Sequence, residues 1–218
     1  QLRVHYSRFL DGGATLLTGH SHQAWPDAAR EGVLRAFDDA AAHADDKWAL
    51  AADAADAVRR FVAERIGGEA GDVALAQNSH ELVYRFLSAL PRLERVVTTS
   101  GEFHSMRRQL SRLEESGLEV VWVDRDPVET LALRLAQAVD ERTDAVLTST
   151  ILFRDSAHVP DLEQVCRRAF ECGAQVLFDV YHHVGVRRWK PIDERAFVVG
   201  GGYKYLQWGE GAGFMGVP

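Results

Sequence analysis

Phe197-Val198-Val199-Gly200-Gly201-Gly202-Tyr203-Lys204-Tyr205-Leu206 joins a short apolar run to three glycines and then to a lysine between tyrosines. The run reads as a buried strand and the glycines as a turn at its end. Lacking Cβ, they let the backbone turn tightly and approach a ligand closely. A lysine at the end of a buried strand loses hydration, which lowers its pKa. The amine then becomes nucleophilic, as Schiff-base formation requires. The same residues also read as a glycine-rich turn with a surface lysine, so the surrounding chain has to decide.

Upstream of this stretch, short apolar runs alternate with amphipathic ones. Strands are expected at 73–77, 95–99, 118–123, 145–148, 176–179 and 197–200, and a new one begins at 213. Helices are expected at 81–90, 104–116, 128–139 and 162–172, with stops at Pro91, Gly117 and Gly173. This alternation means βαβ units and a mainly parallel sheet. Residues 1–24 read as an irregular arm with a short strand at Thr15-Leu16-Leu17. A polar loop, Gly19-His20-Ser21-His22, follows it. Pro26 opens a helix running to about 43, and a second helix from about 50 to 66 stops at Gly67-Gly68. The division expected is an arm and helix over 1–45 and one large domain over 46–218. The chain starts without Met and stops on a fresh strand, so the large domain is expected to continue past residue 218.

The 218 residues carry a net charge of −7, which argues against a nucleic-acid partner. The sequence contains no apolar run of about 18 residues, and its first residues lack the pattern of a signal peptide. Cys166 and Cys172 form no Cys-x-x-Cys pair and read as thiols of a reducing cytoplasm.

A parallel sheet binds ligands at the carboxyl ends of its strands. Asn78-Ser79-His80 follows the first strand and opens a helix, where free backbone N–H groups suit an anion or phosphate; a plain N-cap is the alternative. Phe103 follows the second strand and suits stacking on a flat ligand or simple core packing. Ser149-Thr150 follows the fourth, and Asp179 ends the fifth. An aspartate there needs a cation or several hydrogen bonds. Lys204 comes 25 residues later. Lysine, aspartate, aromatic ring and phosphate seat are together what pyridoxal phosphate needs.

The chain resembles the fold-type-I pyridoxal-phosphate enzymes of the class V aminotransferase superfamily, and within them the kynureninases. The resemblance spans about 16–218. It is carried by Gly19-His20-Ser21, Asn78-Ser79-His80-Glu81, Phe103-His104-Ser105, Thr150, Phe178-Asp179-Val180-Tyr181-His182 and Tyr203-Lys204-Tyr205-Leu206. It implies a three-layer α/β/α large domain of the PLP-dependent transferase type, with a C-terminal small domain outside this sequence. It implies Lys204 as Schiff-base lysine and proton carrier, and Asp179 as partner of the pyridinium nitrogen. His182 would support the cofactor and Phe103 would stack on it. Ser79, His80 and Tyr203 would seat the phosphate, Thr150 would contact the ring hydroxyl or the aspartate side, and Ser21 would meet substrate. It also implies a homodimer and a small amino-acid substrate.

The implied activity is kynureninase-like hydrolysis of a Cβ–Cγ bond, giving anthranilate and alanine from kynurenine. An aminotransferase, an epimerase and a cysteine-desulfurase-like lyase are the alternatives within the cofactor class. The chain departs from kynureninases at His20, His22, His104 and Met106, on the substrate and phosphate sides. A desulfurase would carry histidine where Phe103 stands. Outside the class, His20, His22, His182 and His183 with Asp179 suggest a zinc hydrolase, and a cofactor-free binding module is a third reading.

Overall fold

The computed structural model describes residues 2–13 and 15–218; Gln1 and Ala14 lie outside the described residues. Seven strands form one sheet: β1 (Val73–Ala76), β2 (Arg95–Thr99), β3 (Glu119–Val123), β4 (Ala145–Ser149), β5 (Gln175–Asp179), β6 (Phe197–Gly201) and β7 (Gly213–Gly216). Their spatial order is β1-β7-β6-β5-β4-β2-β3. β2 pairs in parallel with β3 and β4, β4 with β5, and β5 with β6. β7 runs antiparallel between β6 and β1.

The central strands are apolar on both faces because helices cover both. Val97, Val146, Val176, Phe178 and Val198 face one layer, with α6 (Leu131–Ala138), α7 (Glu163–Glu171) and the end of α3 (Lys47–Ile66). Their neighbours Val96, Leu147, Leu177 and Val199 face the other, with α4 (Ser79–Ala89) and α5 (His104–Glu114). The period of two along each strand thus builds two cores on one sheet.

The amino-terminal part corrects one expectation. Thr15-Leu16-Leu17 is not a strand: no described strand lies beside it to supply ladder partners, and Leu17 is 83% exposed. The arm begins instead with a 3-10 turn (Leu2–Tyr6) and the short α1 (Ser7–Leu10). Asp27, at the start of α2 (Asp27–His43), anchors them by accepting from Ser7 N at 2.8 Å and Ser7 Oγ at 2.7 Å. α2 buries none of its residues, and Val33, Phe37 and Trp48 remain exposed. No described helix is long and apolar enough to cross a membrane.

At the amino-terminal end of the parallel strands, buried charges are fully partnered. Arg95 Nε meets Glu119 at 2.9 Å, and its Nη1 meets Asp140 at 3.3 Å. Asp144 accepts from the backbone N–H groups of Glu94 and Arg95 and from Arg92 Nε. Burial alone would raise the Asp144 carboxyl; these donors more than offset it and hold the group below its ordinary value.

Candidate active site

A cavity of about 700 Å³ opens at the carboxyl ends of the parallel strands. Asn78, Ser79 and His80 reach it from the turn after β1, Phe103 from the loop after β2 and Ser149 from the end of β4. Asp179, Tyr181 and His182 come from β5 and its turn, and Tyr203 and Lys204 follow β6. Seven of the residues expected from the sequence therefore meet here: Ser79, His80, Phe103, Asp179, His182, Tyr203 and Lys204.

Lys204 is only 6% exposed. Its Nζ lies 3.0 Å from His182 Nε2 and within 5.1–5.8 Å of the ring centres of Phe103, Tyr181 and Tyr203. Burial lowers the lysine pKa, against the opposing pull of Asp179. Burial, with the nearby Lys204 charge, also lowers His182 to about 4. A neutral imidazole therefore faces an amine that is easier to deprotonate than usual, which suits a nucleophile that must also carry a proton.

Asp179 is raised to about 6 by burial, although the Tyr181 N–H and the Lys204 charge both act to lower it. That N–H donates to Oδ1 at 2.8 Å. Oδ2 has no hydrogen bond to any described residue. A buried carboxylate with an open oxygen on a cavity is set to receive a cationic donor.

The helix start behaves as a seat. Asn78 Oδ1 accepts from Glu81 N at 2.9 Å, while the N–H groups of Ser79 and His80 have no partner among the described residues. The Gln109 amide nitrogen approaches His80 Nδ1 at 2.7 Å. Nδ1 must accept there, so in the neutral ring Nε2 carries the proton and remains a donor. Unfilled N–H groups at the start of an 11-residue helix favour an anion.

Two expected residues lie elsewhere. Thr150 is buried, but it lines a smaller neighbouring cavity, where its Oγ1 lies 3.1 Å from His183 Nδ1. Ser149 takes the position facing the main cavity. Ser21 is exposed, its hydroxyl donates to Thr18 O at 3.3 Å, and it is not among the residues that line the cavity. The zinc reading also fails to assemble. His22 packs against Phe9 and Trp25, while His182 and His183 line different cavities. No group of three His, Cys, Asp or Glu side chains among the described residues is placed to hold a metal ion.

The glycines serve a different end from the one expected. None of Gly200, Gly201 and Gly202 has a positive φ. Each lies against an aromatic ring. A Cβ on Gly200 would meet Phe214 at 2.5 Å, one on Gly201 would meet Tyr181 at 2.3 Å, and one on Gly202 would meet Trp208 at 2.3 Å. Their absent side chains make room for three rings that brace the turn carrying Lys204.

Glu102 escaped the sequence reading. It is fully buried behind the cavity, where its carboxylate accepts from Ser149 N at 2.7 Å and from Ser149 Oγ at 2.6 Å. Its only sequence signal was an acid placed between Gly101, in the turn after β2, and the cavity residue Phe103.

No protein-family model and no curated protein sequence matches the chain. Solved structures do match. A C-DES variant with glycine covalently linked to its PLP cofactor superposes with a TM-score of 0.83 at 13% identity, over 99% of this chain and 59% of that one. The Escherichia coli cysteine desulfurase CsdA gives 0.78 at 17% identity, over 100% and 57%. The apo cysteine desulfurase of Thermococcus onnurineus NA1 gives 0.76 at 18%, over 99% and 56%. The chain thus spans under three fifths of the length of each. At these identities the likeness is one of architecture, and the chain has the fold of the large domain of PLP-dependent transferase-type proteins.

Proposed function

We propose that the chain is the cofactor-binding domain of a pyridoxal-phosphate enzyme acting on an amino acid. One observation carries this reading: Lys204, Asp179, Phe103 and the open helix start at Ser79 converge on a single cavity. The fit can be tested on each wall. The open Oδ2 of Asp179 suits a protonated ring nitrogen, and the free N–H groups of Ser79 and His80 suit a phosphate. Phe103 and Tyr181 offer flat apolar surfaces beside the lysine. When bound, the cofactor supplies an electron sink for charge developing at the substrate α-carbon.

The chain's own residues then have distinct tasks. Lys204 would anchor the cofactor aldehyde and move the proton at the substrate Cα. His182, neutral and in contact with Nζ, would hold the amine in place and accept its hydrogen bond. Asp179 would keep the ring nitrogen charged, and a cation beside it would draw its pKa back down.

Within this class, a cysteine-desulfurase-like lyase has the support of the structural neighbours, which reverses the order of preference drawn from the sequence. Neither cysteine of this chain lines the cavity. Cys166 is buried on α7, and burial pushes its thiol up to about 12. Any sulfur-accepting thiol would therefore come from outside residues 1–218. Kynureninase-like hydrolysis is the second reading; it rests on the Asp179-Val180-Tyr181-His182 and Tyr203-Lys204-Tyr205-Leu206 stretches of the sequence, and the structural neighbours do not add to it. A homodimer belongs to the same proposal, and the exposed Val33, Phe37 and Trp48 support it.

The test is made on the full-length protein. It should be yellow, absorbing at roughly 420 nm, and should lose the colour irreversibly with borohydride. Spectral titration with L-cysteine and with kynurenine separates the two substrates. A colourless protein that takes up no pyridoxal phosphate would sink the proposal.

A further inference from the structure

Resting on the reading of the cavity as a pyridoxal-phosphate site, we propose that Glu102 is a positioning residue. It sets whether the Ser149 hydroxyl donates or accepts a hydrogen bond in that cavity. Both Glu102 oxygens are committed to Ser149, one to its N–H and one to its hydroxyl, and Glu102 itself is sealed from solvent. Ser149 lines the cavity and is the direct register partner of Asp179 across β4 and β5.

Two proton arrangements fit this geometry. With Glu102 ionised, the Ser149 N–H and O–H both donate to the carboxylate, and the hydroxyl can offer the cavity only lone pairs. With Glu102 protonated, the carboxyl O–H donates to Ser149 Oγ, and the hydroxyl hydrogen is released to point elsewhere. One proton from solvent separates the two states, and no heavy atom has to move. Burial, with the Asp179 charge adding to it, raises the Glu102 carboxyl to about 7, so both arrangements are accessible near neutrality.

The surroundings leave Glu102 without a cation of its own. Asp179 faces it from β5, and the Thr148 hydroxyl approaches it from β4. Lys204 and His182 pair with each other, and the Lys204 charge acts on Asp179. Tyr181 lies beside Lys204, its hydroxyl held protonated by burial. Arg125, which packs on Gly101, is taken up by Asp126 and Asp155. His104, beyond Phe103, packs on Phe103 and Phe153.

The experiment measures pyridoxal 5′-phosphate affinity of the full-length protein at pH 5.5 and 8.5, alongside thermal unfolding of the apoprotein over the same range. Glu102→Gln preserves the shape, donates permanently to Ser149 Oγ and so mimics the protonated state. It should match the wild type at pH 5.5 and depart from it by about 3- to 10-fold at pH 8.5, the worth of one hydrogen bond. Glu102→Gln added to Ser149→Ala should lose that departure, whereas Ser149→Ala alone should keep the Glu102 titration in its unfolding profile. A departure undiminished on the Ser149→Ala background means that bare charge acts and overturns the proposal. So does equal pH dependence of the wild type and Glu102→Gln. If Glu102→Gln does not fold, the proposal stands or falls on Ser149→Ala, which must reduce the change in affinity between the two pH values by about the same 3- to 10-fold. No binding by the wild type at either pH overturns the reading of the cavity, and this inference with it.

Discussion

The two ends of the same sheet treat buried charge in opposite ways. At the amino-terminal end, Arg95 has Glu119 and Asp140 as acid partners, and Asp144 collects two backbone N–H groups and Arg92. At the carboxyl end, Lys204, Asp179 and Glu102 are buried with fewer partners than their charges need, and all are displaced toward their neutral forms. One end spends its polar groups on holding strands together. The other leaves them short, which costs stability and stores the capacity to bind and react.

The largest expected effect comes from removing the group at the centre of the underpartnered end. Lys204→Ala should lower turnover of the full-length protein by about 10³-fold or more and leave any bound cofactor removable by dialysis after borohydride treatment. Denaturant stability should hold or rise, because a poorly solvated amine is gone. Next is the opposite end. Asp144→Ala strands the Arg95 N–H in the core and should cost about 4 kcal/mol in urea unfolding. The activity of the molecules that remain folded should not change. A similar stability loss in Lys204→Ala would break the contrast.

pH sharpens it. Glu102 holds its proton to about 7 in the folded chain against an ordinary value of 4.5. Its contribution is therefore present in full below pH 4.5 and is lost as pH rises through 7, an effect of about 3 kcal/mol. Asp179 acts in the same direction up to about 6. Asp144 has the opposite sign, because its lowered carboxyl adds stability above its ordinary value of 3.8 and loses it in acid. Apoprotein melting against pH should show both slopes, and Glu102→Gln should remove much of the fall toward neutrality. Gly201→Ala should cost about 2 kcal/mol, through collision with Tyr181, and weaken cofactor binding as the turn shifts. Smallest is Phe37→Ser on exposed α2. Its effect on unfolding should stay within about 0.5 kcal/mol, while sedimentation should show weaker self-association.

The strands were legible because most are apolar runs closed by polar residues or glycines, and the same break in pattern exposed Asp179 and Lys204. Ser149 and Thr150 show where the reading stopped. Both are hydroxyls after one strand, and only the pleat decides that Ser149 meets the cavity while Thr150 meets His183. Glu102 was hidden because an acid after a glycine reads as a solvated loop residue until the fold buries it. Thr15-Leu16-Leu17 has strand composition, but pairing is a tertiary property and no described strand lies beside it. Ser21 was placed by resemblance alone, and it does not line the cavity.

The rings lodged on Gly200, Gly201 and Gly202 also have an evolutionary consequence. Each glycine and its ring share a fixed volume, so neither can change size alone. Among relatives of this chain, a larger residue at position 201 should occur only with a smaller one at 181. The pairs 200 with 214 and 202 with 208 should obey the same exchange. Three coupled substitutions of this kind would leave a signature of covariation around the lysine even where no other residue of the cavity is shared.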